Sequence, residues 1–359
     1  MFITEEKQFK PNASSAFSDQ VAVWKLTALW AFSEAALGGI LHAFKIPMRG
    51  IFVGGSAAIL ISLIAYFSDR KGTVLKSTLL VILIKGIVSP HTPLTAYFAV
   101  FLQGILGEIL FFRKRFFKIS TLLMGILTLL FSSIQKIFIL TLVFGNTLWE
   151  SIDQFGSIVV NNFIAQENVD DFRFSYLLVG LYLGLHVFVG ILVGLFAGKL
   201  PFWIGDVIQD DKLEITAFNN TKTESSKKKK GKHKRWWQRL SGIIFISFVV
   251  IMVALSYLYP ELGSNKAAEI LFMALRALLI MIIWYSLVGP LALRLLRKYL
   301  KKKENLYASE ISKIVDSFPH LRSLVSYCWK ISSPEKGYRK IKSFLIYLVS
   351  FLLVTDFND

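Results

Sequence analysis

The chain has 359 residues, 54% of them hydrophobic and 18% charged, with a formal net charge of +17 and a mean hydropathy of +0.55. So many long apolar runs exclude an ordinary soluble domain. The basic residues cluster beside those runs with no nucleic-acid recognition motif, so they read as membrane-flanking anchors and exclude nucleic acid as the partner. One cysteine, Cys328, excludes an internal disulfide and a cysteine metal cluster.

No cleavable signal peptide is apparent: the N-terminal stretch is polar, and the first apolar run is long enough to stay as a span. That run, residues 22–44, is about the length needed to cross a bilayer. Ala31, Ala35 and Gly39 recur every fourth residue, which puts small side chains on one face where a second helix can approach. Ser33 and Glu34 sit near mid-span, and Lys45-Ile46-Pro47-Met48-Arg49-Gly50 breaks the helix. Segment two, 51–67, opens with Gly54-Gly55-Ser56-Ala57-Ala58, another close-packing surface. Segment three, 73–89, carries Lys85 near its end. Ser89-Pro90-His91-Thr92-Pro93 must be a turn, because two prolines so close cannot both lie inside a helix.

Segment four, 93–112, holds Gln103 and Glu108 among apolar residues, and Arg113-Lys114-Arg115 with Lys118 closes it. Segment five, 119–145, groups Ser132, Ser133, Gln135 and Lys136. In the acidic loop 146–173, Trp149, Ile152, Phe155, Val159 and Phe163 recur at helical steps, the pattern of an amphipathic helix on a membrane or over a cavity. Segment six, 174–198, has Gly180/Gly184 and Gly190/Gly194/Gly198 at tight helix-contact spacings, with His186 between them.

Residues 205–226 read as a polar linker leading to a basic run, 227–239, which includes Trp236-Trp237 at a membrane interface. Segments seven, 240–259, and eight, 268–292, form a membrane hairpin, with Gly289-Pro290 bending the end of the second. The tail from 304 is amphipathic, and its last apolar run, 343–354, suits an interfacial or protein-packed helix. The expected fold is an all-α polytopic membrane bundle. It comprises a cytoplasmic N-terminal segment (1–20), a six-helix module (21–204), a basic linker (205–239), a two-helix hairpin (240–303) and a helical tail (304–359). Basic loops at 69–71, 113–118 and 227–239 alternate with non-basic loops at 90–93 and 146–173, which puts the N-terminus in the cytoplasm of a bacterial inner membrane. Lys45 and Arg49 run against that pattern.

By this topology the outward half gathers His42, Lys85, His91, Thr92, Tyr97, Gln135, Lys136 and Tyr182, with Gln103 near mid-membrane. Polar groups held there are costly and mark a small-molecule pocket. For each lysine a second reading stands beside that one, namely pairing with Glu34 or Glu108. For His42 and His186 a hydrogen-bonded packing role is the expectation. No HExxH, CxxC, GxSxG or Walker phosphate loop occurs, so no enzyme activity and no cofactor are expected, and any active transport must draw on a partner or an ion gradient.

The stretches PMRGIFVGGSAA (47–58) and SPHTPLTAYFAVFLQGILGEILF (89–111), with the AxxxA face, resemble the substrate-binding S-components of energy-coupling factor (ECF) vitamin transporters, biotin type, over residues 20–200. The resemblance implies capture of a vitamin-like ligand from outside, within a complex of a transmembrane T-component and cytoplasmic ATPases. It implies ligand contacts in the region of Arg49, Tyr97, Gln103, Gln135, Lys136 and Tyr182, and docking of the T-component on Ala31 and Ala35. The lysines add an anionic ligand as the expected class. An S-component normally ends after its sixth helix, so the two further spans and the tail depart from the family. Phe318-Pro319-His320-Leu321-Arg322-Ser323 is similar to a coupling helix of a T-component. The other readings are an assembly protein that keeps the fold without the pocket, and a lipid-acting membrane enzyme.

Overall fold

The computed structural model describes residues 19–43, 48–89, 92–113, 116–164, 172–209 and 264–355, and every regular element among them is helical. Segments one to five appear as α1 (Asp19–Ala43), α2 (Arg49–Phe67), α3 (Thr73–Val88), α4 (Leu94–Leu110) and α5 (Phe117–Phe144). The amphipathic run folds as α6 (Thr147–Ile164), and α7 follows (Phe174–Gln209). The expected seventh span lies outside the described residues. α8 (Ser264–Ile283) passes through a π-helical turn at Trp284–Val288 into α9 (Gly289–Leu306), so the irregular turn immediately precedes Gly289-Pro290 and helix continues beyond the expected end at 292. The tail folds as α10 (Ala308–Asp316), α11 (Phe318–Ile331) and α12 (Gly337–Val354).

Among the described residues, α2, α5 and α7 are long and apolar enough to cross a membrane, which makes this a membrane protein. α4 is apolar but shorter. α7 runs past the expected end of segment six, through Pro201, to Gln209. Proline removes one helical hydrogen bond and crowds the previous turn. Here Leu200 and Ile204 on either side are fully buried in the core, and that packing holds the helix through the defect.

The chain divides into two compact units, Met1–Ile137 with Val179–Lys222 and Val288–Asp359, and Phe138–Leu178 with Thr223–Leu287. In the second unit α6 anchors the start of α7. Asp153 accepts the backbone N–H of Ser175 at 2.6 Å and its hydroxyl at 2.9 Å, which caps the first turn of α7. Trp149 donates its indole N–H to the Thr141 hydroxyl at 3.0 Å.

In the first unit α1 is the central helix. It packs on α2 and α3, and α10, α11 and α12 also touch it. One continuous core joins Leu26, Trp30 and Ile61 to Ile314, Leu321, Cys328 and Leu352. The contacts with the tail are specific. Lys25, 2% exposed, donates to the carbonyls of Leu353 and Thr355 at 2.9 and 2.8 Å, a cation placed on the C-terminal end of α12. Phe32 meets Phe318 edge-on at 5.4 Å. Lys76 of α3 pairs with Glu310 of α10 at 2.9 Å, and Leu300 of α9 lies beside Gly86. α5 and α7 meet at glycines: a Cβ on Gly190 would come within 2.8 Å of the Ile126 Cα, and one on Gly194 within 2.6 Å of the Leu122 Cα. The spacing Gly190/Gly194/Gly198 therefore marks a backbone contact. Gly180 and Gly184 differ, since a Cβ there would meet nothing within 4 Å.

Candidate functional site

The buried charges of the first unit resolve into pairs and caps. Glu34, on α1, and Lys85, at the end of α3, form an ion pair of 2.6 Å, with side chains 1% and 8% exposed. The pair lies about two helical turns beyond the Thr27–Ser77 hydroxyl contact of 2.8 Å, and the two contacts together fix the register of α1 against α3. Glu108 does something different. Its carboxylate accepts the backbone N–H groups of Gly72 at 2.6 Å and Leu75 at 3.3 Å, so α4 supplies the N-terminal cap of α3. Lys85 is therefore paired with Glu34, the second of its two expected roles, and is not an unpaired cation. Lys136 is exposed on α5, while its neighbour Gln135 turns to α4 and donates to the Thr95 carbonyl at 3.4 Å. Adjacent helical residues face different directions, so these two do not converge on one cavity as the sequence reading supposed.

The other expected site residues separate similarly. Arg49 is exposed in the first turn of α2, and Tyr97 is buried with its hydroxyl 3.8 Å from the Cβ position of Gly86. Tyr182 is half-buried, and its ring packs tilted against His186 with centroids 4.4 Å apart. The Tyr182 carbonyl accepts a hydrogen bond of 2.8 Å from His186 Nδ1. That is the packing role expected of His186, although its Nε2 is left without a partner. His91 lies outside the described residues, as does the side chain of His42. Ala31 is 1% exposed and enclosed by the chain's own helices, so it serves a contact within the fold; Ala35 is half-buried.

What remains is a polar cluster where α2, α4 and α5 converge. A Cβ on Gly54 would lie 3.0 Å from Leu129, 3.5 Å from the Thr128 methyl and 3.9 Å from Gln103 Nε2. Gln103 and Thr128 are 7% and 2% exposed, yet Gln103 Oε1 and Thr128 Oγ1 have no hydrogen-bond partner. Other hydroxyls in these helices bond back to their own backbone, as Thr78 does to Val74 and Ser62 to Ala58, each at 2.7 Å. A turn farther along, Gly50 abuts the Ser132 hydroxyl. Sequence reasoning found Gln103 and the glycines but missed Thr128, whose signal was a hydroxyl residue inside an apolar segment. It also missed Lys25, a charge within segment one.

A cavity of about 630 Å³ opens at the other end of α3, against the first turns of α1 and against α10. Its charged lining is mixed: Asp19, Asp69 and Glu310 face Arg70, Lys76 and Lys313. It offers no single sign of charge and so does not replace the expected anion pocket. No group of three His, Cys, Asp or Glu among the described residues is placed to hold a metal ion. The chain matches no protein-family model, no curated protein and no solved structure.

Proposed function

We propose that this chain is a membrane-embedded small-molecule-binding module of S-component type. It takes its ligand from the outer side of a bacterial inner membrane, with the N-terminus in the cytoplasm, for uptake with partner subunits. The observation that supports this reading is the Gln103–Thr128 pair at Gly54. An unsatisfied buried polar atom costs about 1–3 kcal/mol, and in an apolar bundle such groups mark substrate paths. With Lys85 committed to Glu34, a neutral ligand that can donate a hydrogen bond to Gln103 Oε1 fits better than an anion.

Native mass spectrometry of the chain in nanodiscs tests it. The parent should carry a small-molecule adduct, and Gln103→Leu should lose it while unfolding no more easily than the parent. An adduct retained by Gln103→Leu, or none on the parent together with a stabilised Gln103→Leu, would defeat the proposal. The assembly-protein reading rests on a separate observation, the packing of α10–α12 around α1. It predicts stable co-purification with other proteins and no adduct.

A further inference from the structure

The α11–α12 hairpin carries a surface that neither the bundle core nor the Gln103 cluster uses. Around its turn, Trp329, Tyr338 and Ile341 are 50%, 66% and 52% exposed. Lys330, Lys336, Arg339, Lys340 and Lys342 are interleaved with them, against Glu335 as the lone acid between 329 and 342. Glu335 is already engaged by the Ser343 hydroxyl at 2.9 Å. Lys340 sits over the Trp329 ring at 4.3 Å. Apolar rings and aliphatic side chains alternating with cations suit the headgroup level of a bilayer, where the ring enters the acyl boundary and the cation reaches a phosphate.

The hairpin is also tied to the place where the spans end. Lys342 lies over Trp203 of α7 at 4.0 Å, and one residue away Phe202 receives Lys118 at 5.7 Å, from the first turn of α5. Lys71, in the α2–α3 turn, lies over Phe112 after α4 at 4.5 Å. Lysine–aromatic contacts thus mark the same end of α3, α4, α5 and α7, and Trp329 with Lys340 continues them onto the hairpin. We propose that the turn of the α11–α12 hairpin docks on the surface of an anionic lipid leaflet, with Tyr338 and Ile341 at the acyl boundary and Lys330, Lys336, Arg339 and Lys340 on lipid phosphates.

The test uses the full chain in nanodiscs of phosphatidylcholine alone and of an equimolar mixture with phosphatidylglycerol. Cys328 is buried, so the parent gives a low labelling background for nitroxides at Tyr338→Cys or Ile341→Cys. With phosphatidylglycerol present, both probes should collide more with oxygen and less with a water-soluble nickel chelate. Each cation changed to Gln should weaken that preference by about fivefold. Should a Gln variant fail to fold, Ile341→Ser should keep the lipid preference but lose depth at a Tyr338→Cys probe. Probes equally water-exposed in both lipids would overturn the proposal. So would probes immobilised under a co-purifying protein or a second copy of the chain, which would assign the patch to a protein partner.

Discussion

Replacing Lys85 with Met strands the Glu34 carboxylate inside the first unit. The parent pair is separated by 2.6 Å with side chains 8% and 1% exposed, and the other carboxylate oxygen, Oε1, has no partner to fall back on. Removing one member of a buried pair costs about 3–5 kcal/mol, because the survivor keeps its desolvation penalty without its counter-charge. Glu34→Gln, which leaves a buried ammonium, should cost a similar amount. The double variant Glu34→Gln with Lys85→Met buries no charge, so it should return to within about 1 kcal/mol of the parent. The coupling energy from this cycle is therefore about 5 kcal/mol or more, over a thousandfold in the folding equilibrium constant. Detergent-denaturant titration in mixed micelles, read by far-ultraviolet circular dichroism, measures all four chains. Single and double effects that add within about 0.5 kcal/mol would show that the two charges do not interact, and the α1–α3 register would need another explanation.

Two further outcomes follow from packing and burial. Gly194→Leu must separate α5 from α7, since even a Cβ there lies 2.7 Å from the Thr121 carbonyl oxygen; it should cost at least the 1–3 kcal/mol typical of overpacking, whereas Gly184→Leu, with open space around it, should be tolerated in the same titration. Burial raises the Cys328 thiol from its ordinary 9.0 to about 12. The unfolded thiol therefore loses its proton first, so the stability contributed by the buried neutral thiol is complete below about pH 9 and declines as pH rises toward 12. Cys328→Ala should flatten that alkaline limb relative to the parent, and a thiol that reacts quickly with maleimide in the folded chain at neutral pH would contradict the burial.

Hydropathy and breaker residues were enough to read α1 to α5 and the start of α7, because those apolar runs are bounded by charged residues, a Pro or a Gly, and the amphipathic repeat marked α6. The Gly190/Gly194/Gly198 face was legible for the same reason: small residues at a fixed spacing carry their own geometric meaning. Partner choice was not legible. Lys85 and Lys136 look alike as letters, and only the direction each faces separates a paired cation from an exposed one. Nor was the destination of α10–α12, since nothing local marks Phe318 for Phe32 or the end of α12 for Lys25. Propensity and periodicity report on neighbours within one element, whereas these contacts join residues hundreds of positions apart. α7 ran beyond its expected end because tertiary packing at Leu200 and Ile204 outweighed the local cost of Pro201.

The Lys25 contact has a consequence for how the protein is made. Its two carbonyl acceptors lie 328 and 330 residues downstream. A ribosome at about 5–20 residues per second delivers them tens of seconds after the lysine has left the exit tunnel. Through that interval α1 carries an ammonium with neither of those acceptors yet in existence. The nascent chain must keep that turn in water or among headgroups, or leave it in the care of the insertion machinery. Closure of the first unit is then a late, post-insertion event, because the contacts that α1 makes with α10–α12 join the two ends of the chain.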